Sequence, residues 1–284
     1  MILSGAVLVW WALINPSVLP AEIPAVAWEK IPDKDISPEG RAALAIKPGL
    51  WKHAQTGHFI YHFIDEKESE TVYIHAELYY NYIKEFFKIA EDRWTKKTHI
   101  FIFSDKDMWA DFKKRTHHNL SWAGGFATGW ELYMLRLPLW TTARVTLAHE
   151  LSHIIVFRFM EGPLPKFLDE GFACFISARI LGMQLQRDDR EIRPLELIPP
   201  GDYIPLAGLS ETTSYPEELD DANIFYRESE LLVRFIAYTY KSEDLYKFLR
   251  ELSKGGDLKK TIEGIFGIDF YAFEEKFKSF AVSK

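Results

Sequence analysis

The chain has 284 residues, 48% of them hydrophobic and 15% aromatic, with 34 basic against 41 acidic side chains for a net charge of −7. A chain of this size can bury a large core without covalent staples, and its single cysteine, Cys174, excludes an intramolecular disulfide. The acidic balance and the lack of a basic stripe argue against a nucleic-acid partner.

Residues 1–14 are apolar and uncharged, shorter than the roughly 20 helical residues that span a bilayer, and are followed by Asn15-Pro16 and Leu19-Pro20-Ala21. They read as the core of a secretion signal cleaved after Ala21, which predicts an exported, periplasmic or extracellular protein. No Lys or Arg precedes the run, so an uncleaved membrane tether through residues 1–14 is the alternative. Residues 22–49, with Pro24, Pro32, Pro38 and Pro48, read as a linker or a wrapping arm.

Alternation over residues 58–64 predicts a strand, residues 70–92 a long amphipathic helix and residues 98–103 a second strand, with His58, His62 and His99 on sheet faces. A short helix is expected over 105–115, then a polar loop with His117 and His118. Residues 122–138 form a glycine-rich bend running into a strand that Pro138 closes. Its glycines either admit a close backbone or serve as the turn of a hairpin.

The next segment, 141–160, is apolar and helix-forming and contains His149-Glu150-Leu151-Ser152-His153. Residues four apart share a helix face, so the two imidazoles can converge on one Zn²⁺, with Glu150 placed to deprotonate a water at the open position. The alternative is a pair of core histidines and a solvated glutamate. A zinc site needs a third protein ligand. The extension H-x-x-G-x-x-H is excluded, because Val156 and Phe159 stand at its Gly and His positions. Residues 161–165 are a breaker cluster, Glu-Gly-Pro-Leu-Pro, and residues 166–176 are again helix-compatible. A tight turn sends the second helix back antiparallel to the first, bringing Glu170 alongside the histidines as the third ligand.

The strings H-E-L-S-H and L-P-K-F-L-D-E-G-F-A resemble the gluzincin zinc metallopeptidases, in particular the peptidase MA-like group related to thermolysin and the zinc aminopeptidases. Phe167 stands at the usual Trp position. The resemblance implies a zincin-like catalytic domain in which His149, His153 and Glu170 bind one Zn²⁺ and Glu150 is the general base for peptide hydrolysis. It also implies that the strand before the zinc helix is a sheet edge to which an extended peptide substrate adds by backbone pairing. Gly171 is expected to permit close helix packing. Asp169 is either a solvent-facing charge or a partner of a zinc histidine. Cys174, four residues after Glu170, is either a small buried hydrophobe or a border of the site.

Tyr226-Arg227-Glu228-Ser229-Glu230-Leu231-Leu232 resembles the Y-x-x-G/S-x-x-L/V helix of the same families, where a tyrosine hydroxyl stabilises the oxyanion. Tyr226 is thereby a catalytic candidate, with a packing role as the alternative. Arg227 is expected to be a solvated helix charge. Residues 183–222 read as a surface excursion, followed by helices near 223–240, 242–253, 257–264 and 268–280.

The expected architecture is α+β with a gluzincin fold. A linker or arm (22–49) follows the leader and precedes one catalytic domain (50–284), made of a sheet lobe with the active-site helix (50–163) and a helical lobe (164–284). The rival reading is a catalytically inactive zincin-fold binding or scaffold module, possibly membrane-tethered; the intact Glu150 argues against it.

Overall fold

In the computed structural model the described residues are 24–90, 95–117, 124–136, 140–160, 162–185, 196–214 and 218–283. The apolar start, the cleavage point after Ala21, His118 and Pro138 lie outside them. The protein is α+β, and the chain divides into two compact units. One comprises Met1–Tyr82, Asp92–Ile154 and Met183–Gln186; the other comprises Ile83–Glu91, Ile155–Gly182 and Arg187–Lys284.

The first unit holds a five-stranded mixed sheet in the order β1-β2-β3-β5-β4, formed by β1 (Lys52–Gln55), β2 (Phe59–Phe63), β3 (Thr98–Phe103), β4 (Gly125–Thr128) and β5 (Glu131–Leu135). The outer pairs β1/β2 and β4/β5 are antiparallel, while β2/β3 and β3/β5 are parallel. Every residue of β2, β3 and β5 is buried, so both faces of these inner strands are covered. Within the expected 122–138 segment, residues 125–135 form a hairpin rather than one strand. Gly129, at φ +54°, opens its two-residue turn, a position that favours glycine.

The proline-rich stretch supplies part of this unit's core. Helix α1 (Pro38–Leu44) starts with Pro38 at its first position, where the missing N–H costs nothing, and Ser37 caps it by accepting the Gly40 N–H. Ser37 also donates both its N–H and its hydroxyl to the Glu131 carboxylate, at 2.6 and 2.5 Å, and the Tyr133 hydroxyl donates to the same carboxylate. Glu131 is 2% exposed, so these donors satisfy a group whose burial would otherwise be costly. Ile36, Ala43 and Ile46 pack with Phe101, Phe103 and Tyr133 of the sheet and with Trp109 and Phe112 of α3 (Lys106–Arg115). The long helix α2 (Glu66–Phe86) begins four residues before the expected start and ends before residue 92. Lys88, at φ +55°, follows it.

Helix α4 (Trp140–Phe159) carries the H-E-x-x-H run. The second unit holds α5 (Lys166–Gln184) as far as Gly182, α6 (Leu206–Glu211), α7 (Leu219–Thr239), α8 (Ser242–Ser253), α9 (Leu258–Phe266) and α10 (Phe270–Ala281). Asp257 and Asp269 cap α9 and α10, and Gly267 ends α9 in the left-handed conformation. Phe235, Phe273 and Phe277 form an aromatic seam between α7 and α10. Two carboxyl groups anchor the segment leading into α6: Glu228 accepts the Ile204 N–H and Glu274 the Leu206 N–H. Among the described residues, no helix is long and apolar enough to cross a membrane.

Candidate metal centre

Helix α4 is apolar nearly all round. Leu147, Ala148, Leu151, Ile154, Ile155 and Val156 are each at most 2% exposed, whereas His149, Glu150 and His153 are only half-buried. A helix of this kind forms because most of it is enclosed, and its polar triplet is less enclosed than the apolar residues around it. The four-residue spacing brings the His149 and His153 rings to 5.0 Å between centroids, nearly perpendicular to each other. Ser152 turns its hydroxyl back onto the His149 carbonyl at 2.7 Å, so this polar residue is satisfied within the helix.

Helix α5 begins where Pro165, which ends the breaker cluster, offers its carbonyl to the N–H groups of Leu168 and Asp169. From Glu170 to Ala178 every residue is buried. Glu170 is a carboxyl at 3% exposure in that run, a placement that costs free energy unless the charge is compensated. One ligand atom each from His149, His153 and Glu170 lie within 4.8 Å of one another. Two imidazoles and a carboxylate are the donor set of catalytic zinc sites with an open fourth position, in which neighbouring donors stand about 3.3 Å apart for bonds near 2.0–2.1 Å. The three residues could therefore hold a metal ion, and their donor chemistry is that of a zinc site.

Glu150 lies against the edge strand. A Cβ placed on Gly125 of β4 would meet the Glu150 Cγ at 3.3 Å and the Thr146 Cγ2 at 3.2 Å, so that position faces α4. The Leu135 N–H donates to the Gly124 carbonyl, and by antiparallel alternation the backbone groups of Gly125 and Ala127 point away from β5, on the edge side of the sheet.

The remaining candidates have surroundings of their own. Tyr226 sits half-buried on α7, edge-on to Phe225. Arg227 pairs with Glu196 at 2.7 Å in a partly exposed bridge. Cys174 is buried. At Gly171 α5 and α7 approach closely, since a Cβ there would overlap the Ser229 carbonyl oxygen.

A row of histidines escaped the sequence reading. His53 Nδ1 lies 2.8 Å from His62 Nδ1, and His62 Nε2 lies 2.9 Å from His99 Nδ1, giving a hydrogen-bonded chain across β1, β2 and β3. The Trp28 ring rests 5.2 Å from His53 and 5.8 Å from His62. Burial holds the proton affinity of His62 well below the ordinary imidazole range, helped by repulsion from its two neighbours. Burial lowers that of His53 too, against the attraction of Glu29. His58 belongs to a separate pair, bonded to Glu77 at 2.6 Å and stacked on Tyr80. Only His62 and His99 lie in strands that the sequence revealed; β1, which carries His53, has too little hydrophobic alternation to be read.

No protein-family model and no curated protein matches this chain.

Proposed function

We propose that this chain is a zinc-dependent peptidase with a gluzincin-type catalytic domain, in which His149, His153 and Glu170 hold one Zn²⁺ and Glu150 is the general base. The convergence of these two imidazoles and one buried carboxyl within 4.8 Å, with Glu150 next to the first histidine, is the observation that carries the reading. A bound zinc ion supplies Lewis-acid polarisation of a carbonyl and lowers the pKa of water toward neutrality.

The chain's own groups do the rest. Glu150 takes the proton from the attacking water and returns it to the leaving amine. Tyr226 is the proposed donor to the developing oxyanion. The outward-facing backbone of Gly125 and Ala127 on β4 suits an extended peptide added as a further strand, which makes the substrate a peptide or an unfolded segment of protein.

Metal analysis tests the centre directly. The purified chain is expected to hold one zinc per molecule, and His153→Ala or Glu170→Gln to weaken zinc binding by at least about a hundredfold. A chain that takes up no zinc at micromolar concentration, or variants that bind it unchanged, would overturn the assignment.

A further inference from the structure

We infer that Gly125 is a positioning residue for Glu150: its missing side chain makes the space in which the carbon chain of the general base lies against the edge strand. This inference rests on the hydrolytic reading of the site. Gly125 is in ordinary extended backbone, unlike Gly129 four residues on, so neither a turn nor a left-handed conformation requires glycine there. Glycine inside a strand is disfavoured and marks a bulge or a close approach. Around the absent Cβ stand three groups: the Thr146 Cγ2 at 3.2 Å, the Tyr133 carbonyl oxygen at 3.2 Å and the Glu150 Cγ at 3.3 Å. Thr146 and Glu150 are one helical turn apart on α4, so together they form the ridge that meets β4 at this residue. The Tyr133 oxygen is fixed backbone of β5. A methyl group on Gly125 can be accommodated only by moving the Thr146 or Glu150 side chain by a few tenths of an ångström.

Such a shift matters because proton transfer depends steeply on geometry, with a 1 Å misplacement costing on the order of a hundredfold. Gly125→Ala in the zinc-loaded protein is expected to lower kcat about three- to tenfold while KM and zinc content stay within about twofold. A second readout is independent of activity. Gly125→Ala is expected to cost more stability beside Glu150 than in a Glu150→Ala background, where the Cγ is gone, and a double-mutant cycle of urea midpoints measures that coupling. An active wild type whose kcat is unchanged by Gly125→Ala, or a stability penalty equal in the two backgrounds, overturns this role while leaving the peptidase reading intact. A zinc-loaded wild type that cleaves no member of a peptide library overturns the peptidase reading and this role with it. Normal kcat loss accompanied by loss of zinc also overturns the role, because it assigns Gly125 to the fold of the metal centre.

Discussion

Gly171 of α5 lies against the backbone of Ser229 on α7, so close that a single added carbon would collide with the Ser229 carbonyl and press on the Val233 side chain at 3.1 Å. Gly171 directly follows Glu170, so this contact bears on the axial position of the helix that carries the proposed third ligand. Because the obstacle is backbone, the helices have to separate to admit a methyl group. Gly171→Ala is expected to destabilise the protein by about 3 kcal/mol, at the upper end for overpacking, with a lower denaturant midpoint and an unaltered m-value. Zinc affinity should fall in parallel. A variant as stable as the wild type would show that α5 and α7 are not in contact at this point.

The histidine row makes stability depend on acid. A neutral imidazole offers one donor and one acceptor, so the chain through His53, His62 and His99 takes at most one proton before two N–H groups face each other. Other charges around it are Glu29, which attracts a proton to His53, and Asp35, which lies near His99 and is itself bonded to Lys96. The folded proton affinities of His53 and His62 are depressed, so the unfolded chain binds more protons once the pH falls below about 6.5. This contribution to stability is therefore complete above that value and is lost as the pH falls through it. His62→Gln should be less stable than the wild type at pH 7.5, and the gap in melting temperature between the two should narrow as the pH falls to 5. Parallel pH profiles for the two proteins would remove the row from the account.

Glu228 acts in the opposite direction. Burial pushes its carboxyl up to about 8, the nearby Glu274 adding to the effect and the Ile204 N–H opposing it. The folded protein thus keeps a proton that the unfolded chain releases near pH 4.5, so this contribution is full below 4.5 and is lost as the pH rises toward 8. Glu228→Gln keeps an acceptor for Ile204 without the charge. Its melting temperature should exceed that of the wild type at pH 8.5, and the difference should vanish by pH 4.5. An offset independent of pH would contradict this.

The parts of the protein that the sequence revealed are those held by local rules. Helix α8 occupies 242–253 as read, and β3 occupies 98–103, because breakers flank the first and unbroken β-forming residues build the second. The grouping of the three proposed ligands was legible for a similar reason: helical periodicity aligns His149 with His153, and a proline-bearing turn precedes the helix that carries Glu170. What depends on distant approach was not legible. Pro38 read as a breaker, although behind Ser37 it starts a helix whose anchor, Glu131, is 94 residues away. The Glu66 start of α2 was missed because its first turn is charged and shows no apolar period. The reasons for Gly125 and Gly171 lie in the side chain and backbone of other elements, and neither is encoded in its own neighbourhood.

The central claim is that Glu150 supplies general-base catalysis at a zinc held by its neighbours, and Glu150→Gln is the most direct test, since it keeps the shape of the side chain and removes its basicity. With zinc content confirmed near one per chain, hydrolysis of a peptide cleaved by the wild type should fall by roughly 10²–10⁴-fold in kcat, with KM little changed. A Glu150→Gln protein that binds zinc and cleaves that peptide at the wild-type rate would contradict it.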